Sequence, residues 1–394
     1  MSAGSRIAMC PDLCKLITSW AADETLPALC LSSKAFSLPA QARLFYSLYF
    51  NDLSEIAGLC REINASERLG DYPRNLFIVL ETLGSIRLNS AARIAAWQDV
   101  ALGLKHMPNL KTLLISDAVL VNTWIFEDLG TPPFQLKNLK LRFQWDQCFV
   151  DFLSSQKSVV ALETSCPDPY INLSGSSPDG TSTQIILPTI PVDADCDGFL
   201  PHLARLETQL FIAQQLLTPF PGRKHYPPLT YIRINPAPEN NRAVLSMLPN
   251  LCWVQKSLRA INVQLPEDVV WKAINTIARA VPTIRYIGVL HIPSVHHHRL
   301  TSVLLRLSRL WAIEIDVSSW EPHPPNLFAQ RAFAATMRTY APSLRNVIFW
   351  VGEQKWLWKV MPTEVDTDGN GVVDDGIGRW GCQLDNGVKL WAEA

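Results

Sequence analysis

The sequence predicts an α/β fold: an open solenoid of parallel strands with outer helices, preceded by a small three-helix segment. Three observations carry this. A short apolar segment recurs along most of the chain, helical periodicity fills the gaps between its copies, and the first fifty residues follow a different pattern. Apolar residues make up 48% of the 394 residues, which is enough for a large core and excludes global disorder.

The N-terminal segment, 8–52, reads as three short helices. Pro11 and Asp12 open an apolar helical pattern through Leu13, Leu16, Ile17 and Trp20. Asp23 and Thr25 can cap a second helix carrying Leu26, Leu29 and Leu31, and a third is expected from Ser37 to Leu48. Three such helices make a small core that gains stability by docking on the repeat body or on a partner. Residues 53–100 read as a linking helical region with an early strand at 77–83.

The recurring segment fills 101–350. It begins with a proline or polar residue, sets an apolar anchor, and then alternates apolar positions, as in MPNLKTLLI (107–115), VPTIRYIGVL (281–290) and APSLRNVIF (341–349). The anchors are Leu110, Leu136, Val159, Leu203, Leu229, Leu258, Ile284, Leu310 and Leu344. Most of them are separated by 23 to 29 residues, the period of a leucine-rich repeat, and the longer gap from Val159 to Leu203 has room for one degenerate copy. One strand cannot bury its apolar face alone, so neighbouring copies must stack. The helices expected between strands are 265–280, with Val270, Ile274, Ile277 and Ala278 on one stripe, 294–310 and 326–341. Polar residues alternate along the strands, for example Lys140, Arg142 and Gln144, so the inner face of the stack is expected to be wet. The fold expected is therefore an irregular leucine-rich-repeat solenoid, without the asparagine of the tight consensus. Segments 166–184 and 216–228 are expected to be loops, and 351–394 a tryptophan-rich acidic cap with a hairpin loop.

The composition narrows the function. Net charge is -1 and only 18% of residues are charged, so no nucleic-acid partner is expected. No apolar run reaches the length of a membrane span, and the start MSAGSRIAMC lacks a secretory signal, so a cytoplasmic or nuclear protein with reduced cysteines and no membrane partner is expected.

Candidate chemistry is sparse. DTDGNGVVDDGI (366–377) places Asp366, Asp368, Asn370 and Asp374 at calcium-loop positions, but Ile377 stands where a bidentate glutamate belongs. An acidic hairpin turn uses the same residue types, and it is the expected reading. His296, His297 and His298 are consecutive at a helix start and cannot all face one metal. The string GIGRWG, with Gly376, Gly378 and Gly381, lacks the strand–turn–helix context of a dinucleotide site. No catalytic residue, metal or cofactor is expected, and the chain is expected not to be an enzyme.

The N-terminal segment resembles a divergent F-box, carried by Pro11-Asp12-Leu13, Ile17, Leu26, Leu29 and the run Leu31-Ser32-Ser33-Lys34-Ala35-Phe36. An F-box-like segment followed by irregular leucine-rich units is similar to a set of proteins of mushroom-forming (basidiomycete) fungi. The resemblance departs from the family pattern at Cys10, Asp12, Ser32 and Ser33. It implies an adaptor of a Skp1–cullin-type ubiquitin ligase that binds a Skp1-like protein through Pro11, Leu13, Ile17, Leu26, Leu31 and Phe36 and holds an unknown protein substrate on the solenoid. A stand-alone interaction scaffold with no ubiquitin role is the alternative.

Overall fold

The computed structural model describes residues 10–80, 90–117, 123–127, 129–165, 188–190, 198–219, 225–236, 241–265, 267–320, 327–361, 380–384 and 389–394. These fall into two compact units, one holding the described residues through 165 with 188–189, the other holding those from 190 onward.

The N-terminal unit starts with helices α1 (Pro11–Trp20), α2 (Leu26–Ser32) and α3 (Lys34–Leu44). Its five strands, β1 (Ser47–Phe50), β2 (Asn75–Leu80), β3 (Thr112–Asp117), β4 (Asn138–Leu141) and β5 (Ala161–Thr164), pair in parallel and in chain order. Two expectations change here. The third helix ends at Leu44, and Leu48 belongs to a strand, so the segment 8–52 includes the first strand of the sheet. Tyr49 and Leu48 suit a pleated, half-buried surface as well as a helix, and pairing with β2 decides between them. The early strand sits at Asn75–Leu80; residues 81–83 lie outside the described residues.

The C-terminal unit has β6 (Arg205–Gln209), β7 (Tyr231–Asn235), β8 (Ala260–Val263), β9 (Tyr286–His291), β10 (Ala312–Asp316) and β11 (Asn346–Val351), again parallel and in chain order. Two antiparallel strands, β12 (Gln354–Val360) and β13 (Trp380–Leu384), extend the sheet beyond β11. Helices return the chain between strands, among them Glu267–Ala280 and Leu327–Tyr340, close to their expected bounds. The third expected helix, 294–310, shrinks to His298–Leu304 after a short 3₁₀ turn. This mixed α/β arrangement forms open, mostly parallel sheets in sequential order.

The anchors set the register. All nine, from Leu110 to Leu344, are fully buried, and each lies two residues before the first strand residue of its row. Their turns share a geometry. The amides of Leu110, Leu203, Ile284, Leu310 and Leu344 donate to the carbonyls three residues earlier, at 2.9 to 3.2 Å. Pro108, Pro201, Pro282 and Pro342 occupy the second place of four of these turns, where a fixed φ favours the bend. The next two amides of each repeat donate to one carbonyl of the preceding repeat, as Arg285 and Tyr286 do to Arg259 and Trp311 and Ala312 do to Arg285. A ladder of this kind satisfies the backbone as the stack grows.

Buried glutamine takes over part of the work of the missing asparagine. The Gln156 carboxamide accepts from the Leu136 amide at 2.9 Å, while Gln135 accepts from the Lys157 amide and donates to the Ser155 carbonyl, both at 2.9 Å. Two neighbouring repeats are thus tied by side-chain amides that no spacing in the sequence singled out.

Candidate functional site

Two surfaces have the composition of binding sites, one in each unit. The first is the helical head. Helix α1 follows Cys10 and opens on Pro11, where the absent amide costs nothing. Its buried residues are Cys14 and Thr18, four apart, and the Thr18 hydroxyl donates back to the Cys14 carbonyl at 2.6 Å. The large apolar side chains lie on the other side. Leu13 is 47% exposed, Leu16 46%, Ile17 36% and Trp20 80%. This helix is amphipathic with its apolar stripe turned to solvent, the reverse of a helix that serves its own core.

Helix α2 contributes Leu31, which is 89% exposed, and α3 contributes Leu38 at 55%. Pro11 is exposed and Phe36 half-buried. Leu26 differs: at 1% exposure it fills the core of the head, so it supports the site from within and cannot touch a partner. Ser33 caps α3 by accepting from the Phe36 amide at 3.4 Å, which gives the serine a local structural role. The Arg43 guanidinium ties α3 to α1 by donating to the Thr18 carbonyl and to the turn before α2 by pairing with Asp23 at 3.2 Å. Arg68 donates to the Gln41 carboxamide at 2.6 Å, which ties the head to the following helices. The exposed Cys10 thiol is lowered below its ordinary value by the amides of Leu13 and Asp12, whereas burial pushes Cys60 up to about 12.

The second surface is the inner strand face of the C-terminal unit. Alternation assigns Leu206, Ile232, Ile261, Ile287, Ile313 and Val347, all buried, to one face. The opposite face carries Tyr231, Ala260, Tyr286, Ala312, Ile348 and Leu357, and the expectation of a wet face fails here. These residues form one buried cluster with Leu390, and Trp311, Trp350 and Trp391 pack against it. The short helix Leu390–Glu393 lies on them: the Trp391 ring is 4.4 Å from Tyr231, and the Arg205 guanidinium lies 4.2 Å over Trp391. The aromatic tail therefore divides its work. Trp356, Trp358 and Trp380 belong to the antiparallel strands, and Trp391 covers the inner face.

Beside that cover is a cavity of about 400 Å³, lined among others by Arg233, Asn262, Tyr286, His291, Glu314 and Trp350. A bulge opens it: between Ile313 and Ile315, β10 has one residue where β9 has two, Gly288 and Val289. Gly288 makes room for Asn262, since a Cβ there would stand 2.5 Å from the Asn262 Cγ. Glu314, 7% exposed, accepts from the Tyr286 hydroxyl at 2.6 Å and from the Trp350 indole at 3.1 Å. Burial, followed by the Glu314 charge, raises the Tyr286 phenol far above its ordinary value. One turn of the pleat further on, Asp316 accepts from the Ser318 amide at 2.8 Å and faces His291 at 3.0 Å. Sequence reasoning missed this site, because its residues come one or two at a time from successive repeats.

The remaining candidates resolve simply. Asp366, Asp368, Asn370 and Asp374 lie outside the described residues, as do Gly376 and Gly378, while Gly381 falls within β13. Among the described residues no cluster of histidine, cysteine, aspartate and glutamate is arranged to hold a metal. The rings of His296, His297 and His298 stand edge to face, with His297 facing the Ser294 carbonyl at 2.7 Å. No described helix is long and apolar enough to cross a membrane.

No family model matches the chain, and no curated protein does. Among solved structures it is similar to a chain of the Rad7 and Elc1 complex in yeast, with a TM-score of 0.40 and 13% identity over 86% of this chain and 87% of that one.

Proposed function

We propose that this chain is a non-enzymatic, substrate-recruiting adaptor of a Skp1–cullin-type ubiquitin ligase, with the head docking on a Skp1-like protein and the repeat body holding a protein substrate. The observation that supports it is the outward apolar stripe of α1 together with Leu31 of α2. A chain without a partner gains nothing by showing Leu13, Leu16, Ile17, Trp20 and Leu31 to water, and exposed apolar side chains gathered on one short helical head favour a protein contact. Burial of an exposed side chain is worth about 1.5–3 kcal/mol, which applies to Trp20 and Leu31, and roughly half of that to the half-exposed Leu13, Leu16 and Ile17. The adaptor then acts by proximity, raising the effective concentration of the substrate beside the ligase-bound ubiquitin.

The test is a pull-down of the full chain with a purified Skp1-like protein, comparing wild type with Leu13→Asp and Leu31→Asp. Both sites are exposed, so the variants should keep the wild-type circular dichroism and melting temperature while losing at least tenfold in binding. A well-folded wild type that captures no Skp1-like protein would end the ligase reading and leave a stand-alone interaction scaffold.

A further inference from the structure

We propose that the inner-face cavity of the C-terminal unit binds a peptide through a lysine or arginine side chain, with the cation seated on Glu314 and Asp316 and the adjoining main chain on Arg233 and Asn262. This deepens the adaptor reading by naming the substrate class, and it rests on that reading only in taking the ligand to be part of a protein.

The acidic end comes first. Glu314 is buried, and both of its hydrogen-bond donors, the Tyr286 hydroxyl and the Trp350 indole, are neutral. Among the described residues no cation lies within ion-pair distance of it. A carboxylate withdrawn from water without a counter-charge is costly to keep, and an incoming ammonium or guanidinium relieves that cost. Asp316 stands two residues along the same strand, on the same face, and adds a second carboxylate, which also faces the His291 ring at 3.0 Å. The aromatic wall already shows its affinity for cations: the Lys355 ammonium lies 4.1 Å over the Trp350 ring. The cavity's own cations do not serve Glu314. Lys355 is held on Trp350, Arg233 lies 3.8 Å from Glu207, which Arg205 also holds, and Lys389 enters from the covering segment.

The other end carries two unanswered groups. Arg233 Nε is a buried donor and Asn262 Oδ1 a buried acceptor, both without a hydrogen-bond partner. Arg233 and Asn262 are register partners on adjacent strands, and Asn262 is only 9% exposed. An unpaired donor beside an unpaired acceptor matches the main chain of one extended residue, whose C=O accepts from Arg233 and whose N–H, on the same edge, donates to Asn262. Leaving either unanswered forfeits the hydrogen bonds it would make in water.

The spacing selects the ligand. From Asn262 on β8 to Glu314 on β10 is two strand steps, about 10 Å. An extended lysine or arginine side chain reaches roughly 6–7 Å from its Cα, and a hydrogen bond at each end completes the span. A free amino acid with its ammonium on Cα is too short. The cavity volume of about 400 Å³ suits one such residue with its flanking peptide groups.

Calorimetric titration of the full chain with the capped tripeptides acetyl-Gly-Arg-Gly-amide and acetyl-Gly-Lys-Gly-amide tests this, with norleucine and glutamate peptides as controls. The basic peptides should bind at least tenfold more tightly than both controls. Glu314→Gln should remove that preference while leaving the weak norleucine binding unchanged. Asp316→Asn, nearer the edge of the cavity, should reduce it and serves if the first variant melts early. Equal binding of all four peptides, or none by folded wild type at millimolar peptide, overturns the site. Leu13→Asp is a control that should leave peptide binding intact. Basic-peptide binding without Skp1-like binding keeps the site and ends the ligase role, and the reverse outcome ends the site alone.

Discussion

The two units build their sheets from the same repeat yet treat the inner strand face in opposite ways. In the N-terminal unit β2 and β3 alternate strictly between buried and half-buried residues, and β4 shows Asn138 and Lys140 to solvent. In the C-terminal unit β8 is buried at every position, and β9, β10 and β11 nearly so. The difference lies in what covers the sheet. Lys140 meets Glu163 across the strands at 2.7 Å with both side chains wet, whereas Tyr231 and Tyr286 lie under Leu390 and Trp391. A strand with tyrosine, alanine and a few charges on its second face accepts either state, and a covering segment decides.

Three experiments break or sharpen that comparison. The largest effect belongs to what the units share. Leu110→Ala and Ile284→Ala each empty a fully buried anchor, one in each unit, and each should cost about 2–5 kcal/mol in urea unfolding. A negligible cost at either position would show that the anchor row is not common to both. Trp391→Ala addresses the difference itself. Stripping the ring from Tyr231 and Arg205 should cost about 1–3 kcal/mol and speed amide exchange in β7 and β8 while β2 to β4 keep their protection. Unchanged exchange in β7 and β8 would mean that the cover contributes nothing. The smallest effect is expected at the wet face, where Lys140→Ala removes an exposed ion pair and should shift stability by less than about 1 kcal/mol.

Much of the repeat body was legible before any coordinates. An anchor followed by alternating apolar positions is a local pattern, and stacking copies of it must line up the anchors within a unit, as Leu110 to Val159 do in one unit and Leu203 to Leu344 in the other. Helix Glu267–Ala280 was legible for the same reason, since its buried stripe follows the helical period. The head was legible as helices but not as surfaces. Leu26 and Leu31 share a short helix and the same chemistry, yet one is core and the other fully presented. Which leucine a forty-residue bundle keeps depends on how α3 crosses it, and periodicity does not contain that.

The cavity was not legible at all. Glu314, Asn262 and Arg233 are each an ordinary polar residue on a strand, and their meeting depends on register across four strands and on one bulge at Gly288. The sequence by itself determined the period, the anchors and the outward helices, because those follow from short-range spacing and the need to bury apolar side chains. Only the tertiary structure decided which strand face is dry. Leu390 and Trp391, some forty residues beyond the last parallel strand, return to cover β7 through β11, and a contact so distant along the chain leaves no periodic trace.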